Sequence, residues 1–248
     1  MEPALSHQDG FDRSATSIWI FLAMVSYLAF TKILLTAMPA TFRSPAQAVM
    51  FQWPAIGIIG ALGLAGVWLS RRTGFPTAWD APSTNRRRVL LPLVLGLGFG
   101  LITIILDLAT GWTKIAAAKL HIPSIHIAFP ASALIYPGGA IIVEVLYRLF
   151  LVPLLLWIIS NLLLKGRGQE PAFWVLAAMT SFFEPVTQDL AGMLLGRAMT
   201  AFTLVFILDY AINLSQAWLF RRLGFLSAIL MRVSFYAVWH VLWGLAGR

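Results

Sequence analysis

The segment 140–157 constrains the fold of this chain more than any other stretch. It is long and apolar enough to form a membrane helix, yet it contains Glu144 and Arg148. Four residues separate these two charges, which places them on one helical face, one turn apart. An ionised side chain in the bilayer centre costs about 3 kcal/mol on insertion scales. We therefore expect the pair to face other helices or a wet cavity, as the floor of any internal site.

The composition assigns the chain to the integral membrane proteins. Of its 248 residues, 59% are hydrophobic and 11% are charged, whereas a soluble domain is about half apolar and a quarter charged. The absence of cysteine excludes disulfides, thiolate nucleophiles and cysteine metal sites. Most of the net charge of +8 lies in short loops, which indicates membrane topology and contact with anionic lipids rather than with nucleic acid.

The pattern of apolar segments predicts an all-α, polytopic membrane helical bundle with about seven transmembrane helices, in a range of six to eight. The chain 1–248 is expected to form a single membrane domain. The predicted spans cover residues 17–38, 49–70, 89–112, 140–164, 172–183, 190–220 and 226–245.

The segment 125–136 leaves the number of spans open. Pro130 interrupts it and Pro137 follows it, and it is too short to cross a bilayer alone. We expect a re-entrant or interfacial piece, followed by a helix from Ala140 onward. With seven spans, the excess of Lys and Arg in alternate loops places the N-terminus and the arginine-rich loop 71–88 in the cytoplasm.

Ionisable residues in or beside the spans are the candidates for function, because such residues are rare in membranes. The acids are Asp107, Glu144, Glu184, Asp189 and Asp209, and the bases are Lys32, Arg148, Arg197 and Arg232. The pair of Glu144 and Arg148 has two interpretations. Either the guanidinium orients an ionised carboxylate for use as a base or ligand, or the two groups neutralise each other and hold helices together.

The last predicted span offers a second wall for the same cavity. Arg232 and His240 are eight residues apart and so share a face. We expect His240 to bond to a neighbouring helix, and Arg232 to pair with Glu144 or Asp209. Glu184 precedes Pro185 and is expected to be a helix-end carboxylate. Arg197 and Asp209 are expected to pair within the sixth span. No metal site is predicted, since His121 and His126 have a spacing that fits no metal motif.

At these residues the chain resembles the CPBP family, the CAAX-protease and bacteriocin-processing group of intramembrane glutamate proteases. That family has three motifs, E-E-x-x-x-R, F-x-x-x-H, and a later H-x-x-x-N or H-x-x-x-D. The likeness covers 138–243, the expected CPBP-like core. It implies a hydrolytic site where the motifs meet, in which histidines and a polar residue hold the attacking water, with or without a metal.

The first two motifs are incomplete here. Glu144 and Arg148 match the second glutamate and the arginine of the first motif, but Val143 replaces the glutamate that the family uses as general base. The histidine position of the second motif falls on Glu184 or Thr187, depending on register. The frame therefore resembles the family more closely than the reactive groups do.

The third motif is also altered. Arg232 stands at the position of its histidine and Tyr236 at that of its Asn or Asp, while His240 matches a further histidine of some members. A guanidinium is always charged and cannot ligate a cation. Near Glu144, the guanidinium of Arg232 would supply a fixed positive charge at the place where a cation would otherwise bind.

Three hypotheses follow, all without a cofactor and all in a membrane, which we expect to be the bacterial cell membrane. The first is a pseudo-protease that binds or regulates a peptide or membrane protein, with Glu144, Arg148 and Arg232 in a closed polar cluster that His240 can join. The second is an active, divergent peptidase with Glu144 as base and His240 as catalytic partner, supported by Arg148, Glu184 and Arg232. The third is a small transporter or lipid-binding protein whose Arg-lined cavity takes an anionic group.

Overall fold

The computed structural model describes residues 5–38, 42, 45–79, 84–186 and 199–246. The described residues are 86% helical and contain no strand. They form nine helices: α1 Leu5–Ala37, α2 Pro45–Met50, α3 Trp53–Arg72, α4 Asn85–Thr110, α5 Trp112–Leu120, α6 Ala131–Leu163, α7 Gln169–Pro185, α8 Met199–Leu223 and α9 Phe225–Ala246.

Six helices of the described part are long and apolar enough to cross a membrane. They are Ala15–Ala37 of α1, helix α3, Arg86–Thr110 of α4, helix α6, Ala201–Leu223 of α8, and helix α9. The prediction of an all-α membrane bundle is therefore confirmed. The predicted span 172–183 lies in α7, which has only 17 residues and is not one of the six. The predicted span 190–220 begins outside the described residues, and its remainder lies in α8.

Contacts between the helices and the turns that connect them define one end of the bundle. The hydroxyl of Ser17 in α1 accepts from the amide of Ala78 at 3.0 Å, and the amide side chain of Asn161 in α6 donates to the carbonyl of Arg72 at 3.3 Å. The starts of α4, α7 and α9 and the end of α8 lie in or beside the turns gathered here. We call this the basic end, after Arg71, Arg72, Arg86, Arg87, Arg88, Lys165, Arg167, Arg221 and Arg222.

Helix α6 corrects the prediction for 125–136, because the helix begins within this piece and continues through Pro137. Proline has no amide hydrogen, so Pro137 leaves the carbonyl of Ala133 without its helical donor. The hydroxyl of Tyr27 in α1 lies 3.5 Å from that carbonyl and 3.1 Å from the carbonyl of Leu134. A neighbouring helix therefore supplies a donor where the main chain lacks one, and the helix is not broken.

Helix α9 lies in the middle of the bundle, in contact with α4, α6 and α8. Its approach to α4 is close because α4 has glycines at the crossing. A Cβ atom at Gly96 would lie 2.0 Å from the hydroxyl of Ser234, and one at Gly100 would lie 2.7 Å from the Cβ of Val238. Small residues four apart are a common basis for tight packing of membrane helices. This packing holds Arg232 in the interior, where only 4% of it is exposed.

Candidate functional site

Four ionisable side chains from three helices meet in the interior of the bundle. Glu144 and Arg148 come from α6, Glu184 from α7 and Arg232 from α9, and all four are buried. Two carboxylates and two guanidiniums make the group formally neutral. We call these four residues the ion cluster.

Arg232 is the residue through which the ion cluster is connected. Its Nε donates to Oε1 of Glu144 at 2.6 Å, and its Nη2 donates to Oε1 of Glu184 at 2.6 Å. The same Nη2 lies 2.7 Å from the side-chain oxygens of both Asn213 and Gln216 in α8. One guanidinium therefore joins α6, α7, α8 and α9.

Arg148 completes the alternation of charges. Its Nη1 pairs with Oε2 of Glu184, and its Nη2 donates to the backbone carbonyl of Asn213 at 3.1 Å. Its Nε lies 3.9 Å from Oε2 of Glu144. Each carboxylate thus contacts both arginines, an arrangement that offsets the desolvation of four charges.

The backbone of α6 is irregular where it carries the first two charges. Residues Val145–Leu151 form π-helical turns, and these begin directly after Glu144 and include Arg148. Pro153 follows Arg148 by five residues, and its nitrogen cannot donate a hydrogen bond to the main chain. A π-helical turn changes the directions of the side chains relative to a regular α-helix, and such turns are frequent at functional positions.

His240 lies in a separate layer beside the ion cluster. Its ring stacks on Tyr136 with 4.1 Å between centroids, and its Nδ1 is 3.2 Å from Nδ1 of His126. Tyr236 connects the two layers, since its hydroxyl lies 3.3 Å from Nη1 of Arg232 and its ring centroid lies 5.0 Å from that of His240. The predicted wall of Arg232 and His240 is therefore divided between an ionic layer and an aromatic layer.

A cavity of about 90 Å³ lies beside both layers. Glu184, Arg232, Tyr236 and His240 line it, together with Asp209 of α8. At roughly 10–15 Å³ per water-sized probe, this volume accommodates several water molecules.

The structure changes the roles expected for several residues. Glu184 lies in the last turn of α7, as expected of a helix-end carboxylate, and it is also a full member of the ion cluster. Asp107 is buried and accepts from the backbone and hydroxyl of Thr113 and, at 2.9 Å, from the indole of Trp243, so it joins α4 to α5 and α9. Lys32 donates to Gln52 at 3.1 Å. Thr187, Asp189 and Arg197 lie outside the described residues, as does the predicted pairing of Arg197 with Asp209.

Sequence reasoning missed Asn213 and Gln216, which supply three of the acceptors around the two arginines. Their spacing of three residues places both on one face of α8. Two amides on one face of an apolar helix are a detectable signal for a polar interior, because neither group is stable in contact with lipid.

The membrane assignment follows from the six apolar helices, which indicate an integral membrane protein. Among the residues that the structure describes, no group of three or more His, Asp, Glu or Cys side chains is placed to hold a metal ion. In the comparisons with known proteins, no family model, no curated protein and no solved structure matches the chain.

Proposed function

We propose that this chain is a CPBP-like membrane protein that no longer performs peptidase chemistry and acts by binding, as a pseudo-protease. One observation carries the proposal: Arg232, at the position of the third motif's histidine, bonds both to Glu144 of the first motif and to Glu184, one of the two candidate positions of the second motif. Glu144 and Arg232 are 88 residues apart in the sequence. Tyr236, at the position of the third motif's Asn or Asp, also contacts Arg232. Contacts between residues of three separate motif segments support the resemblance more strongly than the motif sequences alone do.

The groups at these positions favour binding over hydrolysis. A general base must present a lone pair to a water beside the substrate. Val143 replaces the family's base, and both Glu144 and Glu184 are bonded to arginine. A guanidinium neither accepts a proton nor ligates a cation, so Arg232 does not substitute for the family's histidine. The ion cluster instead fixes the relative positions of the helices that form the core.

The partner that we propose is a peptide or a helix of another membrane protein, in the bacterial cell membrane. The internal cavity of about 90 Å³ is too small for a peptide, so the partner would contact the outer helix surfaces. Helix α4 has such a surface, with Leu101, Ile105 and Leu108 each more than half exposed. The basic end would face the cytoplasm, because Lys and Arg are enriched in cytoplasmic loops.

A hydrolysis assay tests the loss of peptidase chemistry. The full chain, reconstituted in lipid vesicles, is incubated with transmembrane peptides and prenylated C-terminal peptides, and the products are identified by mass spectrometry. Wild type, Glu144→Gln and protein-free vesicles are expected to give the same products. Products that depend on wild type and disappear in both Glu144→Gln and His240→Ala overturn the proposal in favour of the divergent peptidase.

A crosslinking assay tests binding. Photoreactive residues at Leu101 and Ile105 are expected to give a discrete protein adduct in intact membranes. The matched control places the same residue at Leu163 of α6, another strongly exposed apolar position. Equal labelling at all three positions, without a discrete adduct, contradicts partner binding by α4.

A further inference from the structure

Two arginines at the basic end have no acidic partner among the described residues, unlike Arg221. Arg221 lies 2.8 Å from a carboxylate oxygen of Glu170. Arg71 and Arg72, the last two residues of α3, are exposed, and neither contacts a carboxylate within the described residues. Two adjacent positive charges therefore remain at one helix end.

The end of α3 does not need these guanidiniums for its own stability. Arginines in the last turn of a helix often bond to its terminal carbonyls. Here other donors do so: the hydroxyl of Thr73 donates to Leu69 at 2.8 Å, Asn161 donates to Arg72 at 3.3 Å, and Gln169 donates to Thr73 at 2.8 Å. The side chains of Arg71 and Arg72 are thus available to a ligand.

An aromatic surface lies directly beside the two arginines. The guanidinium of Arg72 is 4.9 Å from the ring centroid of Trp68, and the Trp68 ring is 6.4 Å from that of Trp157 in α6. Trp68 is 48% exposed, and it lines an open notch with Arg71 and Arg72. Tryptophan rings in membrane proteins concentrate at the headgroup level, and a guanidinium stacked on a ring keeps its N–H edge free for an anion.

We propose that this notch binds the headgroup of an anionic phospholipid. Guanidiniums donate paired N–H bonds to phosphate oxygens, so Arg71 and Arg72 would hold the phosphodiester. Trp68 and Trp157 would contact the glycerol and the upper acyl chain. Because no carboxylate of the described residues contacts the two charges, a lipid with net negative charge would be preferred to a zwitterionic one with the same phosphate. This site is distinct from the ion cluster and does not depend on the pseudo-protease proposal.

The same end of the bundle contains a matched control. Arg86 and Arg87, in the first turn of α4, are also adjacent and exposed. No aromatic ring contact is present at either residue in the described part of the chain. Replacing either pair by glutamine removes two charges from the same end of the bundle. A difference between the two variants therefore indicates a specific site at Arg71 and Arg72, whereas equal effects indicate general attraction to an anionic surface.

The experiment is native mass spectrometry of the full chain in detergent, titrated with phosphatidylglycerol or with phosphatidylcholine of the same acyl chains. We expect wild type to retain one phosphatidylglycerol in preference to phosphatidylcholine. Arg71→Gln/Arg72→Gln should reduce this retention by roughly tenfold or more, whereas Arg86→Gln/Arg87→Gln should retain the lipid as wild type does. Equal losses in the two variants, or no preference between the lipids, overturn the proposal.

Two additional arms keep the result decisive. Inorganic phosphate is titrated alone: tight phosphate binding without lipid retention overturns the assignment to a lipid. If Arg71→Gln/Arg72→Gln does not give a folded monodisperse protein, Trp68→Leu is used, since it keeps both charges and removes the ring. Weaker retention of phosphatidylglycerol by Trp68→Leu supports the site, and unchanged retention overturns it.

Discussion

The ion cluster and the pair of Glu170 with Arg221 use the same chemical groups in opposite surroundings. The four residues of the ion cluster are each at most 4% exposed, whereas the side chain of Glu170 is 47% exposed at the basic end. In the interior, every carboxylate contacts two guanidiniums and charge is balanced within the group. At the basic end one carboxylate is sufficient for one arginine, because water solvates what the pair leaves unbonded.

The two groups also differ in what they hold together. The ion cluster joins α6, α7 and α9 in the interior of the bundle, and Asn213 extends it to α8. The surface pair joins the first turn of α7 to the last turn of α8, where Arg221 also lies over the rings of Phe75 and Phe173. Burial should therefore decide how strongly each charge contributes to stability, and substitutions test this from the largest effect to the smallest.

Arg232→Ala should have the largest effect. The change leaves Glu144 and Glu184 with one arginine between them in the interior, and removing one partner of a buried ion pair costs about 3–5 kcal/mol. Chemical unfolding of the detergent-solubilised protein measures the loss. Arg222→Ala, at an exposed position of α8, is the control and should change stability little. Equal stabilities of the two variants would show that the ion cluster does not hold the bundle together.

Charge balance within the ion cluster should appear as coupling between its members. Glu144→Gln and Arg232→Gln each leave a net charge in the interior, whereas the double variant is neutral. The double variant should therefore lose less stability than the sum of the two single losses, by about 1–3 kcal/mol. The same cycle on Glu170 and Arg221 should give less than about 1 kcal/mol. Additive losses within the ion cluster would contradict charge balance as the source of its stability.

The cluster itself was largely predictable, and the reason is physical. An unpaired charge is unstable in hydrocarbon, so Glu144, Arg148 and Arg232 were expected to pair although α6 and α9 are distant in sequence. Pro185 correctly suggests a helix end, since α7 ends there, but it does not indicate that Glu184 faces the interior of the bundle. His240 was assigned to the cavity, but its partner, His126, is in a segment without regular structure.

The limits of helix α6 show where sequence rules are incomplete. Pro137 was interpreted as the boundary between two pieces, which is its usual effect in a single helix. The helix instead continues through Pro137, and the hydroxyl of Tyr27, 110 positions earlier, lies close to the carbonyls of Ala133 and Leu134. Sequence periodicity describes the hydrogen bonding of a single helix. It gives no information on the donors that a neighbouring helix supplies. The glycines of α4, in contrast, indicate close packing against another helix, but they do not identify α9 as that helix.

Tyr27→Phe should give a loss between those of the two ionic groups. It removes a neutral hydrogen bond in the membrane interior and leaves the ring in place, so about 1 kcal/mol is expected. Tyr210→Phe in α8 is the control, since no hydrogen bond of its hydroxyl is present in the described part. Unfolding curves of both variants provide the measurement. A loss as large as that of Arg232→Ala would mean that the helix depends on Tyr27 for its continuity.

The pair of Glu170 and Arg221 should give the smallest effect and the clearest dependence on solution conditions. The hydrogen bond from Arg221 holds the pKa of Glu170 below its ordinary value, so the pair stabilises the fold above about pH 4.3 and loses this contribution as the pH falls toward the folded pKa. Glu170→Gln should therefore lose about 0.5 kcal/mol at neutral pH and nothing in strong acid.

Raising the salt from 0.1 to 1 M shortens the Debye length from about 10 to 3 Å and should reduce the difference in stability between wild type and Glu170→Gln. The loss in Arg232→Ala should persist at the same salt, because its partners are buried. A salt response of equal size in both variants would contradict the distinction between the two groups.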